Sequence, residues 1–196
     1  MAKRKPRSKT RPVSFRELGN SKVTTRKLFF PSNEKIRLKF SIKRGQFSEQ
    51  DRYQGHDKFL RQNKHKIGVF ADIGCCFAFG APTTLDARKA LGNNAEIYGT
   101  DIANLPNKKM WKKYVERGIN PLKHNIAKSP LPFRCDAIRF ANVSQHMSQS
   151  DRRRAIFNIW KSLKIGGFLL GATDYMRVEH EFILRKTASG FEEIEF

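Results

Sequence analysis

The chain has 196 residues, 39% of them apolar and 16 of them Phe, with 39 Lys/Arg against 18 Asp/Glu for a formal net charge of +21. That length suits one α/β domain with an extension rather than two full domains, and the apolar content excludes wholesale disorder. No run of about 18 apolar residues is available to span a membrane, and three cysteines (Cys75, Cys76 and Cys135) are too few for a disulfide framework. The thiols read as reduced, as in an intracellular protein, with the cytoplasm as the first expected compartment and a nucleolar or organellar one as the alternative.

The charge is unevenly spread. Residues 1–66 hold 20 Lys/Arg against 5 Asp/Glu, whereas residues 67–196 hold 19 against 13. The excess peaks over residues 1–12, which read as a disordered basic arm. This arm lacks the apolar stretch of a secretory signal, and Pro6 and Pro12 interrupt any amphipathic helix. It is either a solvated tail or an arm that pairs with phosphates. Residues 13–66 read as a basic extension, partly ordered. Within it Ile36, Leu38, Phe40 and Ile42 alternate with polar residues, which predicts a half-buried strand over 35–43. Residues 48–64 predict a helix with Tyr53, Phe59 and Leu60 facing inward.

After Lys66 the texture changes. Residues 67–73 form a short apolar run ending in Asp72-Ile73-Gly74, as a buried parallel strand does before a tight turn. Pro82 suits the first turn of a helix that runs through Leu91 and stops at Gly92. Further strands are predicted over 95–100, 135–141 and 167–172, and helices over 108–117 and 150–163. Two last short runs, 181–185 and 191–196, flank Thr187-Ala188-Ser189-Gly190 and predict a closing hairpin. Strands alternating with helices from 67 to 173 imply right-handed βαβ units, hence a parallel sheet covered on both faces, with an antiparallel edge from the hairpin.

In such a sheet, ligands bind beyond the carboxyl ends of the strands. Two strand ends stand out. The loop from Asp72 through Gly74, Cys75 and Gly80 to Pro82 has glycines that let backbone approach a ligand closely. Alternatively it is a plain strand-to-helix loop. Asp101 ends the next strand, where a carboxylate can accept hydrogen bonds from both hydroxyls of a ribose, or else cap the following helix. A dinucleotide reading fails, because Gly74 and Gly80 are not spaced as G-x-G-x-x-G. No Lys-Ser/Thr follows them either, as a phosphate-clamping loop would require. A ligand with a ribose and no pyrophosphate fits better.

Over residues 67–196 the sequence resembles the class I S-adenosylmethionine-dependent methyltransferases, whose fold is a Rossmann-like α/β sheet. Four stretches carry the resemblance: Phe70-Ala71-Asp72-Ile73-Gly74-Cys75, Tyr98-Gly99-Thr100-Asp101-Ile102, His124-Asn125-Ile126 with Cys135-Asp136-Ala137-Ile138, and Leu163-Lys164-Ile165-Gly166-Gly167. The resemblance implies S-adenosylmethionine as cofactor. It implies that Asp72, Gly74 and Cys75 lie against the methionine part, with Gly80 closing the same turn. Asp101 would hold the ribose, Ile102, Asn125 and Ile126 the adenine, and Asn142 would face the sulfonium and the substrate. The chain departs from the family where Cys76, Phe77, Ala78 and Phe79 replace small residues. Those phenylalanines either pack under the turn or intrude on the pocket, in which case the site no longer binds cofactor. A further departure is that only residues 174–180 separate the fifth strand from the hairpin, too few for the usual long helix, so that sheet face is either partly uncovered or covered by the N-terminal region.

Methyl transfer from a sulfonium asks mainly for alignment of donor and nucleophile. A base is needed only where the acceptor must lose a proton early. Asn142, His146 and Asp174 are the substrate-facing candidates, His146 alternatively being a surface or capping histidine. No Cys/His spacing suggests zinc or another metal. Lys108, Lys109, Lys112 and Lys113 on one helix, and Arg152-Arg153-Arg154 on another, are solvated surfaces or, together with the basic extension, contacts for a polyanion. The expected substrate is RNA, ribosomal RNA first. A protein acceptor is the alternative, as is a non-catalytic RNA- or ribosome-binding module that keeps the fold.

Overall fold

The computed structural model describes residues 13–14, 50–77, 80–102, 108–175 and 178–196. The basic arm of residues 1–12 and the strand expected over 35–43 lie outside the described residues, as does Phe79.

In chain order the elements are β1 (Val13–Ser14), α1 (Gln54–Asn63), β2 (Val69–Ile73), α2 (Pro82–Leu91), β3 (Glu96–Asp101), α3 (Lys108–Glu116), β4 (Ile119–Lys123), β5 (Cys135–Ala141), α4 (Gln149–Ser162), β6 (Leu163–Tyr175), β7 (Val178–Lys186) and β8 (Gly190–Ile194). They build a single sheet in the order β1-β8-β7-β6-β5-β2-β3-β4. The five strands from β6 to β4 are parallel, whereas β7, β8 and β1 are added antiparallel. This is the expected Rossmann-like α/β sheet with its antiparallel C-terminal hairpin.

The two faces are covered differently. Phe70, Ile97, Ala137, Leu170 and Ile183 pack with Leu60 of α1, Ala87 and Leu91 of α2 and Tyr114 of α3 on one face. Ile138, Leu169 and Leu184 pack with Ala155 and Ile159 of α4 on the other. Strands buried on both sides explain the near-continuous apolar runs of β2 and β5.

Two details depart from the sequence expectations, and a third agrees with them. β4 was not anticipated, because Ile-Asn-Pro-Leu-Lys has neither an apolar run nor clean alternation. Its Pro121 is tolerated because β4 is the sheet edge and needs no donor on its outer side. β6 begins at Leu163 rather than 167, with a bulge in its register against β5. A Cβ on Gly167 would approach the carbonyl oxygens of Asp136 and Lys164 to 2.9 and 3.0 Å, so the bulge demands glycine there. As expected from the short connection over residues 174–180, no long helix follows β6, which turns back into β7 with Tyr175 opposite Val178. The face over β6 and β7 is covered by α1, where Phe59 meets Phe168 edge-on at 4.9 Å between ring centroids. The N-terminal region thus supplies the apolar cover that the short β6–β7 connection cannot.

Candidate active site

The parallel strands end along one rim, and a cleft of about 250 Å³ opens there. Across the rim the strands run β4, β3, β2, β5. His124 therefore follows β4, Asp101 ends β3, Gly74 follows β2 and Asn142 follows β5, and all four line the cleft. Ile102 and Ile126 add apolar wall towards the β4 side, while His146 and Gln145 lie beyond Asn142 in the chain.

The turn after β2 is built from backbone. Gly74 and Cys75 donate their N–H groups to the Thr100 carbonyl at 2.7 and 3.1 Å, and Cys76 donates to Oδ2 of Asp101 at 3.2 Å. The glycine at 74 is required: its φ is +76°, and a Cβ there would collide with the Val143 side chain. Two non-glycine residues on the same rim, Cys76 (φ 57°) and Asn142 (φ 54°), also adopt the left-handed conformation. Such conformations are costly for side-chain-bearing residues and collect where a site over-determines the backbone.

Phe77 does not enter the cleft. It is buried beneath the turn, 5.3 Å from the Tyr114 ring between centroids, and its carbonyl accepts from the Tyr114 hydroxyl at 3.2 Å. Cys75 packs under the turn as well, near Gly99, and burial pushes its thiol well up from the ordinary value. Gly80 takes a positive φ of 90° with open space around it and does not line the cleft, and Asn125 spends its side-chain oxygen on the N–H of Ala127 at 3.0 Å. The side chain of Asp174 lies outside the described residues; its backbone pairs with Glu179.

Asp72 is placed elsewhere. Its carboxylate is buried and accepts from Thr83 Oγ1 and Thr84 Oγ1 at 3.0 and 2.8 Å in the first turn of α2. It also pairs with Arg139 of β5, whose nitrogens lie 3.0 and 3.3 Å from its two oxygens. Arg139 is fully buried; burial works against its charge, but Asp72 and then Asp57 raise its pKa. The same guanidinium reaches Asp57 of α1 at 3.3 Å, donates to the Thr83 carbonyl and lies over the Tyr53 ring at 5.3 Å. Asp72 therefore supports the turn from below instead of lining the cavity.

Two of the lining residues come from a segment that sequence reasoning did not connect with the site. Arg52 and Tyr53 sit in the turn before α1 and complete the cleft wall on the β5 side. The Tyr53 hydroxyl accepts from Asn142 Nδ2 at 3.5 Å, and the Arg52 guanidinium lies 5.4 Å from the Tyr53 ring centroid. Nothing local in the sequence marks them, since their role depends on where α1 docks. That docking is set by Glu181 of β7, which accepts from the N–H groups of Gly55 and His56 at 3.2 and 2.6 Å. His56 Nε2 bonds the Gly171 carbonyl at 3.0 Å, and burial, with Arg139 nearby, pushes the imidazole down to about 3, so it is held neutral.

A parallel sheet whose second and third strand ends present a left-handed glycine and a carboxylate to one cleft is the architecture of a class I methyltransferase. Comparison with known families agrees: residues 71–171 match the family described as "Methyltransferase domain", and the chain belongs to that family, whose methyl donor is S-adenosylmethionine. Among solved structures, the chain resembles the N-methyltransferase NodS of Bradyrhizobium japonicum WM9 in complex with S-adenosyl-L-homocysteine. The two are 16% identical, with a TM-score of 0.48 over 65% of this chain and 64% of that one. It also resembles an O-methyltransferase from a polyketide synthase multienzyme of Brevibacillus brevis (20% identical, TM-score 0.48, 61% of this chain and 39% of that one). A third is the dimethyltransferase RosA of Streptomyces davawensis (17%, TM-score 0.49, 63% of this chain and 37% of that one). The chain thus spans less than two thirds of each of these proteins. No curated protein matches it in sequence.

The site fits the donor. Gly74 leaves a cradle that a Cβ would close against Val143, Asp101 supplies a carboxylate at the end of the adjacent strand, and Ile102 and Ile126 offer apolar surface for a base. Among the described residues no helix is long and apolar enough to cross a membrane, and no group of His, Cys, Asp or Glu could hold a metal ion.

Proposed function

We propose that the chain transfers a methyl group from S-adenosylmethionine to an acceptor presented by RNA, ribosomal RNA in the first instance. The reading rests on the alignment of Gly74, Asp101 and Asn142 along one cleft at the rim of the sheet. Bound there, the donor supplies an electrophilic methyl on a sulfonium, and the leaving thioether is uncharged. The protein's task is then mostly positioning. Gly74 admits close backbone approach, Asp101 orients the ribose, and Asn142 and Tyr53 border the space where the acceptor must lie. His146 also lines the cleft, and partial burial lowers its pKa below the ordinary 6.5. The shift favours the neutral imidazole, the form that can accept a proton from an acceptor that must lose one.

The RNA component rests on charge. The net charge is +21, and α3, which follows the cleft residue Ile102, presents Lys109, Lys112 and Lys113 to solvent beside the exposed Trp111. Lysines interleaved with an exposed aromatic suit a phosphate backbone with stackable bases.

Two measurements test the two components separately. Calorimetry with S-adenosylmethionine should give a 1:1 isotherm that Asp101→Ala weakens by tenfold or more, on the order of a lost charge-assisted hydrogen bond. No heat and no thermal shift at millimolar cofactor would leave only a non-catalytic module with this fold. RNA affinity should fall steeply with salt, and deleting residues 1–12 should flatten the slope. A flat response in the intact chain would point to a protein acceptor.

A further inference from the structure

We infer that Arg52, contributed by the N-terminal extension, is the carboxylate-recognising residue of the cleft, holding the amino-acid end of S-adenosylmethionine; this rests on the methyl-donor reading above. The order of strand ends sets the direction of the bound molecule. With the ribose at Asp101 on β3, one end of the ligand must run towards β4 and the other across Gly74 towards β5. The β4 side is walled by Ile102, Ile126 and His124, whose Nε2 bonds the Ser129 carbonyl at 2.9 Å, and it suits a flat heterocycle. The β5 side is walled by Asn142, Tyr53 and Arg52, which suits a zwitterionic tail. Among the described residues lining the cleft, Arg52 is the sole lysine or arginine. A carboxylate brought to this end of a half-enclosed cleft loses water, and a guanidinium fork is the side chain whose geometry replaces it best.

The placement of Arg52 is built into the fold. Tyr53 is buried beneath it, gripped by Arg139 on one side and by the contact with Asn142 on the other. Four residues further on, Asp57 fastens α1 to the same Arg139. Arg52 lies outside the stretch 71–171 that defines the family match, so a chain cut back to that stretch would lose this wall of its cleft. The ion pairs of Arg139 thereby serve a second purpose: they hold the N-terminal turn against the strand that carries Asn142.

The test compares S-adenosylmethionine with its decarboxylated analogue, which differs only in the carboxylate, by calorimetry on the full chain and on Arg52→Met and Arg52→Lys. The wild type should bind the intact cofactor about ten- to a hundredfold more tightly than the analogue. Arg52→Met should shrink that ratio to about threefold or less by weakening the intact cofactor far more than the analogue, with a cooperative thermal transition showing that the variant is folded. Arg52→Lys should keep part of the discrimination. If Arg52→Met retains the full ratio, or weakens both ligands equally, the assignment of Arg52 is overturned while the methyl-donor reading stands. If the wild type binds neither ligand, both are overturned together.

Discussion

Arg139 and Asp72, 67 residues apart in the chain, lie opposite one another on β5 and β2, and their side chains form an ion pair from which water is excluded. Three more residues complete the arrangement: Asp57 arrives from α1, and the Thr83 and Thr84 hydroxyls arrive from α2. One guanidinium therefore ties together a central strand pair and two of the helices that cover it. The rim of the cleft, at Gly74 on one strand and Asn142 on the other, begins two or three residues beyond this pair.

Removing the guanidinium leaves buried carboxylates without a counter-charge. Arg139→Met should destabilise the fold by about 3–5 kcal/mol, read as a lower urea midpoint, because uncompensated burial costs more than the pair itself contributes. A loss under about 1 kcal/mol would mean that water reaches Asp72 in solution.

The pH dependence of stability carries two opposed signatures. His56 is held down at about 3, so between about 6.5 and 3 the unfolded chain takes up a proton that the folded chain refuses. Acidification through that window costs up to about 1.4 kcal/mol per pH unit. Asp57 is pushed up to about 6, first by burial and then, despite Arg139, by its neighbours Asp86 and Asp72. Between about 4 and 6 the folded chain keeps a proton that the unfolded chain releases, so acidification there is stabilising. Relative to wild type, His56→Gln should become more stable on going from pH 6 to pH 4, and Asp57→Asn should lose stability more steeply. Urea titrations at three pH values decide it, and parallel curves for all three proteins would refute both assignments.

At the cleft, Gly74→Ala should be damaging out of proportion to one methyl group. A left-handed φ costs a side-chain-bearing residue about 1–2 kcal/mol, and the new methyl meets Val143. The expected outcome is a lower melting temperature together with at least a tenfold loss of calorimetric affinity for S-adenosylmethionine.

Ser148 caps α4: its Oγ accepts from the N–H of Asp151 at 3.1 Å and lies 2.7 Å from the Asp151 carboxylate. Ser148→Ala should cost about 1 kcal/mol of stability, measured by denaturant unfolding. Ser148→Asn, whose side-chain oxygen can still accept at the cap without setting a second carboxylate against Asp151, should restore most of it.

The chemistry of short segments was enough to read a mostly parallel sheet with an antiparallel C-terminal hairpin and to find two adjacent strand ends in the cleft. The apolar run ending in Asp72-Ile73-Gly74 and the strand ending at Asp101 announce themselves because strand termini and tight turns depend on neighbouring residues only. Their juxtaposition follows from right-handed crossovers. What local pattern could not decide was which way a side chain points once the strands are packed. Asp72 reads as a cofactor contact in sequence, yet its carboxylate is claimed by Arg139 from a strand 67 residues away. The β4 strand was missed because an edge strand, with Pro121 in it, needs neither alternation nor an apolar run. Arg52 and Tyr53 reach the cleft only because α1 covers the face that the short β6–β7 connection leaves open, and apolar burial, which decides that docking, is indifferent to sequence distance.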